Sequence, residues 1–503
     1  MRVRALIVVA AAASALALAA GSQRAPERAP AQMRANIVFV LADDLGYGEL
    51  GSYGQRRIRT PRLDRMAAEG MRFTQFYSGS TVCAPSRGAF LTGRHTGHAY
   101  VRDNHELGGF LDEEERGQLP LPPDHPTVAR WLQAHGYATA VVGKWGLGGP
   151  QSTGVPTKQG FDFFFGYLDQ KQAHNYYPTH LWRNEERYPL RNAYFSPHQT
   201  LEGDPNDPKS YEKYRGTDYA IDFMTREATD WLRANRSKPF FLYFAPTIPH
   251  VALQAPEAAL TEYDGTFPET AYTGDKRYLP QRTPRAAYAA MITYLDAQVG
   301  RILDTLKEIG AEERTLVIFT SDNGAIYDVG GAPTRFFESN GPLRGQKTNL
   351  YEGGIRVPMI ARWPGRIRAG ATSDLVAANW DMWATFAELT GGDAPGDTDG
   401  ISIVPTLLGQ GTQRPHAALY WEFHSQGSSQ AVRMGRWKGI RLNAAKQPDG
   451  PIELYDLDRD PAETTNAAAA NPDVVRRIEA EMKRSHTPSI IPRWNFATSS
   501  AAR

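Results

Sequence analysis

Continuous apolar runs alternate with amphipathic segments over most of this chain. Asn36-Ile-Val-Phe-Val-Leu-Ala42 is apolar throughout and ends in Asp43-Asp44, the pattern of a strand buried on both faces of a parallel sheet. Thr60-Pro61 opens a predicted helix whose apolar face is Leu63, Met66 and Ala67, with Gly70 closing it. Residues 71–77 then read as a strand. A helix over 126–135, stopped by Gly136, precedes a buried strand over 137–142. Further helix and strand pairs are predicted at 217–235 with 239–244, and at 285–309 with 315–319. This alternation predicts an α/β fold: a large doubly wound mixed sheet flanked by helices. From Arg414 the pattern changes. Segments 418–423, 431–442 and 452–455 read as short antiparallel strands and 471–483 as a terminal helix, giving a smaller α+β subdomain with an antiparallel sheet. Residues 151–213, rich in proline, aromatics and asparagine, show little periodicity and read as a long insertion over the site.

At 503 residues the chain exceeds one typical domain. The expected division is 34–413 for the α/β domain and 414–503 for the subdomain. Arg2 and Arg4 followed by the apolar, alanine-rich run 5–20 predict a signal peptide over 1–20, with a loose leader at 21–33. That run is short for a membrane span. The expectation is an exported protein, periplasmic or secreted, with no stable membrane insertion after signal removal. Basic residues number 56 and acidic ones 55, so nothing draws the whole chain to nucleic acid or to an anionic membrane. Anion selectivity must therefore be local. Cys83 is the only cysteine, which rules out a disulfide within the chain. In an exported protein that fits a cysteine kept for chemistry.

Polar residues gather where the predicted strands end, which is where open α/β sheets place their sites. Asp43, Asp44, Asp322 and Asn323 offer hard oxygen donors, a set suited to calcium or magnesium. Asp-Asp and Asp-Asn pairs are also ordinary turn residues; their shared position after apolar strands favours a site. Cys83 begins a predicted helix, whose first N–H groups and dipole suit an oxyanion. His250 follows the strand 239–244, and its imidazole suits proton transfer near neutrality. Lys144 lies at the end of the strand 137–142, and Lys347 lies in a glycine-rich loop.

Cys83-Ala84-Pro85-Ser86-Arg87, running into Leu91-Thr92-Gly93-Arg94, resembles the signature of the formylglycine-dependent (type I) sulfatases, members of the alkaline phosphatase-like superfamily. Gly341-Pro342-Leu343-Arg344-Gly345-Gln346-Lys347, followed by Glu352-Gly353-Gly354-Ile355-Arg356-Val357-Pro358, resembles the family's second long signature. The likeness runs from Asn36 to about Asn466. It implies hydrolysis of a sulfate monoester, expected on a carbohydrate. It implies that a maturation enzyme oxidises Cys83 to formylglycine (3-oxoalanine), whose hydrate is the nucleophile. It further implies one calcium ion on Asp43, Asp44, Asp322 and Asn323, its shell completed by the modified Cys83 and by sulfate. By the same likeness Arg87 supports the formylglycine, Lys144 binds it and sulfate, Lys347 binds sulfate, and His250 is the general acid.

One departure stands out. Family members commonly read G-K-W-H-L-G where this chain has Gly143-Lys144-Trp145-Gly146-Leu147-Gly148, so a second catalytic histidine is missing at Gly146. His174, within the 151–213 insertion, is a candidate replacement; an ordinary loop histidine is an equal reading. Tyr176, Tyr177, Trp182, Tyr188 and Tyr194 would suit a sugar ring or form the loop's own small core. Two other functions fit the same residues: a phosphonate or phosphate ester hydrolase, and a non-catalytic glycan-binding relative.

Overall fold

A computed structural model describes residues 34–496; the expected signal peptide and leader lie outside the described residues. The large sheet contains strands β1 (Asn36–Ala42), β2 (Met71–Tyr77), β3 (Ala138–Lys144), β4 (Phe163–Tyr167), β5 (His180–Arg183), β6 (Glu186–Pro189), β7 (Phe240–Ala245), β8 (Thr315–Ser321), β9 (Arg356–Arg362), β10 (Ala371–Ser373) and β11 (Ala377–Ala378). Their order is β10-β2-β9-β8-β1-β7-β3-β4-β5-β6, with β11 beside β2. Strand β1 is central. It runs parallel to both β7 and β8, and every one of its residues is buried, as its unbroken apolar run requires.

Helices cover both faces. On one side α1 (Pro61–Ala68), α4 (Ala220–Ala234) and α5 (Pro284–Glu308) pack on Val38, Val40, Leu242 and Phe319. On the other, α2 (Cys83–Thr92), α3 (Val128–Ala134) and α6 (Asp381–Leu389) pack on Ile37, Phe39, Phe241 and Ile318. The doubly wound mixed sheet expected from the alternation is present. Among the described residues no helix is long and apolar enough to cross a membrane.

Three details differ from the sequence reading. The insertion at 151–213 is partly sheet: β4 extends the parallel run on β3, and β5 and β6 continue it as an antiparallel meander. Their short mixed sequences gave no clear period of two. Strand β9 lies between β2 and β8, antiparallel to both, where the glycine-rich motif before it dominated the reading. The stretch 431–442 is two strands. Strands β12 (Leu419–Phe423), β13 (Ser429–Met434), β14 (Trp437–Leu442) and β15 (Ile452–Asp456) form an antiparallel sheet of four, and Gly435, at φ 57°, turns β13 into β14. Helix α7 (Pro472–Ser485) packs on this sheet through Ile478 and Met482.

The small sheet is seated against the residues around Cys83. Trp421 and Phe423 of β12 share a buried cluster with Tyr77, Val82, Ala89 and Trp380, and Trp421 Nε1 donates to the Ser78 carbonyl at 3.0 Å. Buried Lys438 of β14 lies 2.9 Å from Glu352 and 3.0 Å from Glu463.

Candidate active site

Register builds the site. Ala42 pairs with Ser321 across β1 and β8, so the residues that follow, Asp43-Asp44 and Asp322-Asn323, emerge side by side. Gly143 pairs with Ala245 across β3 and β7, which brings Lys144 and the segment leading to His250 to the same end of the sheet. Asp44 adopts a left-handed backbone (φ 67°), and its N–H donates to Asp322 Oδ1 at 3.1 Å. All four residues are fully buried.

All ten residues of α2 are buried, with Phe90 stacked on Phe39 at 4.1 Å between centroids. This seats Cys83, 2 % exposed, beside the carboxylates. The first helical amides are not all free for an anion, as the sequence suggested. Ala84 N–H donates to Asn104 Oδ1 at 3.1 Å, a cap the sequence reading missed.

The Cys83 Sγ lies 3.5 Å from Asp43 Oδ1 and 3.4 Å from each of Lys144 Nζ and Lys347 Nζ. Burial pushes its thiol up to about 12 against the pull of the two lysines, with Asp322 and Asp43 adding to the rise. The thiol is therefore protonated at neutral pH, and the unmodified sulfur is a poor nucleophile. Lys144 Nζ binds Asp43 at 2.7 Å and Lys347 Nζ binds Asp44 at 2.7 Å. Arg87 Nη2 binds Asp322 at 2.9 Å and stands 3.6 Å from Asp43, while Nη1 donates to the Lys144 carbonyl at 2.8 Å.

Three carboxylates thus face three cations in a dry centre. Burial works against the charge on Asp43, but Lys144, His250, Arg87 and Lys347 overcome it and hold the carboxyl well below its usual range. Asp322 goes the other way, to about 7, through burial and the neighbouring Asp43. These carboxylates compete for the available positive charge, and a hard cation would relieve that competition. Asn323 Oδ1 is buried with no hydrogen-bond partner among the described residues. An orphaned oxygen beside three carboxylates fits the donor set of a calcium-type ion. One donor atom each from Asp43, Asp44, Cys83 and His250 lie within 4.8 Å of one another.

His250 completes the wall. Its Nε2 is 3.5 Å from Asp44 Oδ2, and its Nδ1 faces the Val251 carbonyl. Tyr176 donates to the His250 and Thr247 carbonyls at 2.6 Å each. Burial pushes the imidazole down to about 4, with Asp44 opposing and Lys347 and Lys144 assisting. The near-neutral value expected from the free side chain is lost on burial.

His174 is brought into this site. Its ring stacks on His250 with centroids 4.9 Å apart and planes 18° apart. Its Nδ1 lies 2.9 Å from Nε2 of His198, a residue the sequence gave no reason to single out. Gly146 has φ 81°, and a Cβ built there would lie 2.9 Å from Gln170 Nε2. Gln170 is 3 % exposed, and its amide nitrogen has no partner among the described residues. The space a side chain at 146 would enter is therefore filled by an amide from the 151–213 region. Of the aromatics there, Tyr176 and Tyr177 are buried in one core cluster with Tyr188 partly buried against it, Trp182 is buried in the cluster on the other face of the sheet, and Tyr194 is 42 % exposed.

A strand-end centre that pairs buried carboxylates with buried cations lies where open α/β enzymes place their active sites. The chain belongs to the sulfatase family, whose model it matches over residues 35–392; residues 345–487 also match the C-terminal region of N-sulphoglucosamine sulphohydrolase. It is 34 % identical to human arylsulfatase A over 501 residues, covering 92 % of this chain and 89 % of that protein. It is 34 % identical to mouse N-acetylgalactosamine-6-sulfatase over 445 residues, covering 84 % and 73 %. Among solved structures it resembles Ps i-CgsB in complex with k-i-k-neocarrahexaose, at TM-score 0.74 and 26 % identity, covering 93 % of this chain and 96 % of that one. The protein is a sulfatase-family enzyme with the fold of that family.

Proposed function

We propose that this enzyme removes sulfate from a sulfated carbohydrate, with formylglycine made from Cys83 as nucleophile and one calcium ion on Asp43, Asp44, Asp322 and Asn323. The observation that carries the proposal is the seat of Cys83, buried with both lysines at 3.4 Å and a carboxylate at 3.5 Å. When bound, calcium would supply positive charge opposite the sulfate oxygens, and the formylglycine hydrate would supply an oxygen nucleophile.

The chain's own residues do the rest. Lys144 and Lys347 hold the anionic group from two sides in a site that excludes water, so their charges act at full strength. Arg87 ties Asp322 to the Lys144 backbone through two hydrogen bonds. His250 presents Nε2 on the Asp44 side and protonates the departing alcohol. Burial is the main cause of the low His250 proton affinity, and the negative charge of a bound ester would oppose the smaller pull of Lys347 and Lys144 on the ring. His174, stacked on His250, takes the second proton-transfer role that Gly146 cannot fill. The saccharide reading draws on the kinship with a carbohydrate-bound structure and an amino-sugar sulfatase. In the same reading residues 1–20 direct export, residues 34–413 carry the chemistry and 414–503 form the subdomain that braces it.

The test is sulfate release from a panel of sulfated saccharides, against a Cys83→Ala control. Maturation of Cys83 is checked by peptide mass spectrometry and calcium by elemental analysis. Matured, calcium-loaded protein that releases no more sulfate than the control would exclude the proposal.

A further inference from the structure

We infer that Glu463 is a positioning residue for Lys347: from the segment after β15 it clasps both ends of the loop that carries this lysine to Cys83. The inference rests on the proposed role of Lys347 in holding the anion, and names what keeps that lysine in place.

Lys347 stands on a closed loop. Gly353 N–H donates to the Arg344 carbonyl at 2.7 Å and so joins the loop's two ends. The tip is tied to the segment just before Cys83. Thr348 N–H donates to the Thr81 carbonyl at 3.1 Å, and Thr81 Oγ1 donates to the Asn349 carbonyl at 2.8 Å. Between these ties Thr348 has φ 75°, a left-handed backbone that a β-branched side chain resists. Such a turn persists only where its surroundings hold it. Released at its base, the loop would relax and carry the Lys347 ammonium away from its place 3.4 Å from the Cys83 sulfur and 2.7 Å from Asp44.

The hold at the base comes from Glu463, which is fully buried. Its Oε2 accepts from Glu352 N–H at 2.6 Å, and its main-chain carbonyl accepts from Arg344 Nη1 at 3.0 Å. One residue thus meets both ends of the loop. The small sheet fixes that residue in turn. Lys438 and Tyr455 pair across β14 and β15. Lys438 Nζ lies 3.0 Å from the Glu463 carboxylate and 2.9 Å from that of Glu352, while the Tyr455 hydroxyl accepts from Arg344 at 3.0 Å. Glu352 also accepts from the hydroxyl of Tyr77, the last residue of β2, at 2.7 Å. The base of the loop, the strand that leads to Cys83 and the small sheet therefore form one hydrogen-bonded block, and buried networks of this kind set position.

The test uses matured, calcium-loaded enzyme with inorganic sulfate as the probe, its affinity measured by calorimetry beside kcat/KM for a sulfate ester. Glu463→Ala removes the acceptor for Glu352 N–H and should weaken sulfate by roughly 10- to 100-fold. Glu463→Gln keeps an oxygen for that N–H and should recover much of the loss. Arg344 is exposed, so Arg344→Met opens the other end of the clasp without disturbing the core and should weaken sulfate in the same direction. A double-mutant cycle separates positioning from general loosening: in a Lys347→Ala background, Glu463→Ala and Arg344→Met should each cost little more, because the group they position is gone. Sulfate bound at wild-type affinity by Glu463→Ala or by Arg344→Met overturns the inference, as does a loss that is undiminished in the Lys347→Ala background. Wild-type sulfate affinity in Lys347→Ala alone would instead place the failure in the proposed role of Lys347, and the inference would fall with it.

Discussion

Lys144 and Lys347 place their ammonium nitrogens at one distance, 3.4 Å, from the Cys83 sulfur, each anchored to one of two adjacent aspartates. Any anion joined to residue 83 is thereby gripped from two sides. Lys144→Ala and Lys347→Ala should each lower kcat/KM for a sulfate ester by roughly 100- to 1,000-fold, as loss of one preorganised donor does. Steady-state kinetics on matured enzyme decide it, and a loss below about tenfold would remove that lysine from the anion site.

Arg87 and Asp322 form a buried pair in which neither side chain reaches water. Asp322→Ala should abolish tight calcium binding and leave Arg87 poorly compensated, at a cost of about 3–5 kcal/mol. Calorimetric calcium titration and denaturant unfolding measure the two effects separately. Unchanged calcium affinity would refute the assignment of Asp322 to the metal.

Gly146 is held at positive φ with Gln170 against it. Gly146→Ala should destabilise the fold by about 1–3 kcal/mol through backbone strain and crowding. Gln170→Ala in the same chain should return the crowding part, leaving the strain. A double-mutant cycle by urea unfolding tests this; strictly additive effects would mean that the two positions do not meet.

Glu422 ties the small sheet to the loop after α2. It binds Arg102 at 2.9 Å, His424 at 2.9 Å and His486 at 2.7 Å. Burial resists its charge, but those partners hold the carboxyl below its usual range. A carboxyl depressed in the folded state adds stability above its unfolded value of about 4.3, and that stability drains away as pH falls towards the folded value. The wild-type melting temperature should therefore drop more steeply than that of Glu422→Gln between about pH 5 and about pH 3. Parallel curves from thermal scans would show that Glu422 carries no such linkage.

Much of this centre could be read from residue order because short-range rules govern it. The apolar run of β1 marks a central strand, and the acidic residues after β1 and β8 mark its functional end. What escaped needed contacts between distant segments. His198 lies in a stretch of little periodicity, and only folding brings it to His174. Gln170 gains meaning from the empty Cα of Gly146. The His250 proton affinity could not be taken from the free side chain, because burial and two lysines reset it. Strands β4 to β6 were hidden by short, mixed sequences whose pairing partners are set by the sheet edge.

The helix that begins with Cys83 has no exposed residue, and its surroundings include a sheet built from the last hundred residues of the chain. That has a consequence in time. On the reading that Cys83 is oxidised to formylglycine, the enzyme that does so must reach a side chain that is 2 % exposed once the chain has folded. On that reading the expected order is oxidation first and closure of the chain over Cys83 afterwards. A synthetic peptide spanning residues 78–94 should be converted by such an enzyme, while folded, unmodified protein should resist until it is denatured. If so, each molecule is committed, with or without its modified residue, when it folds.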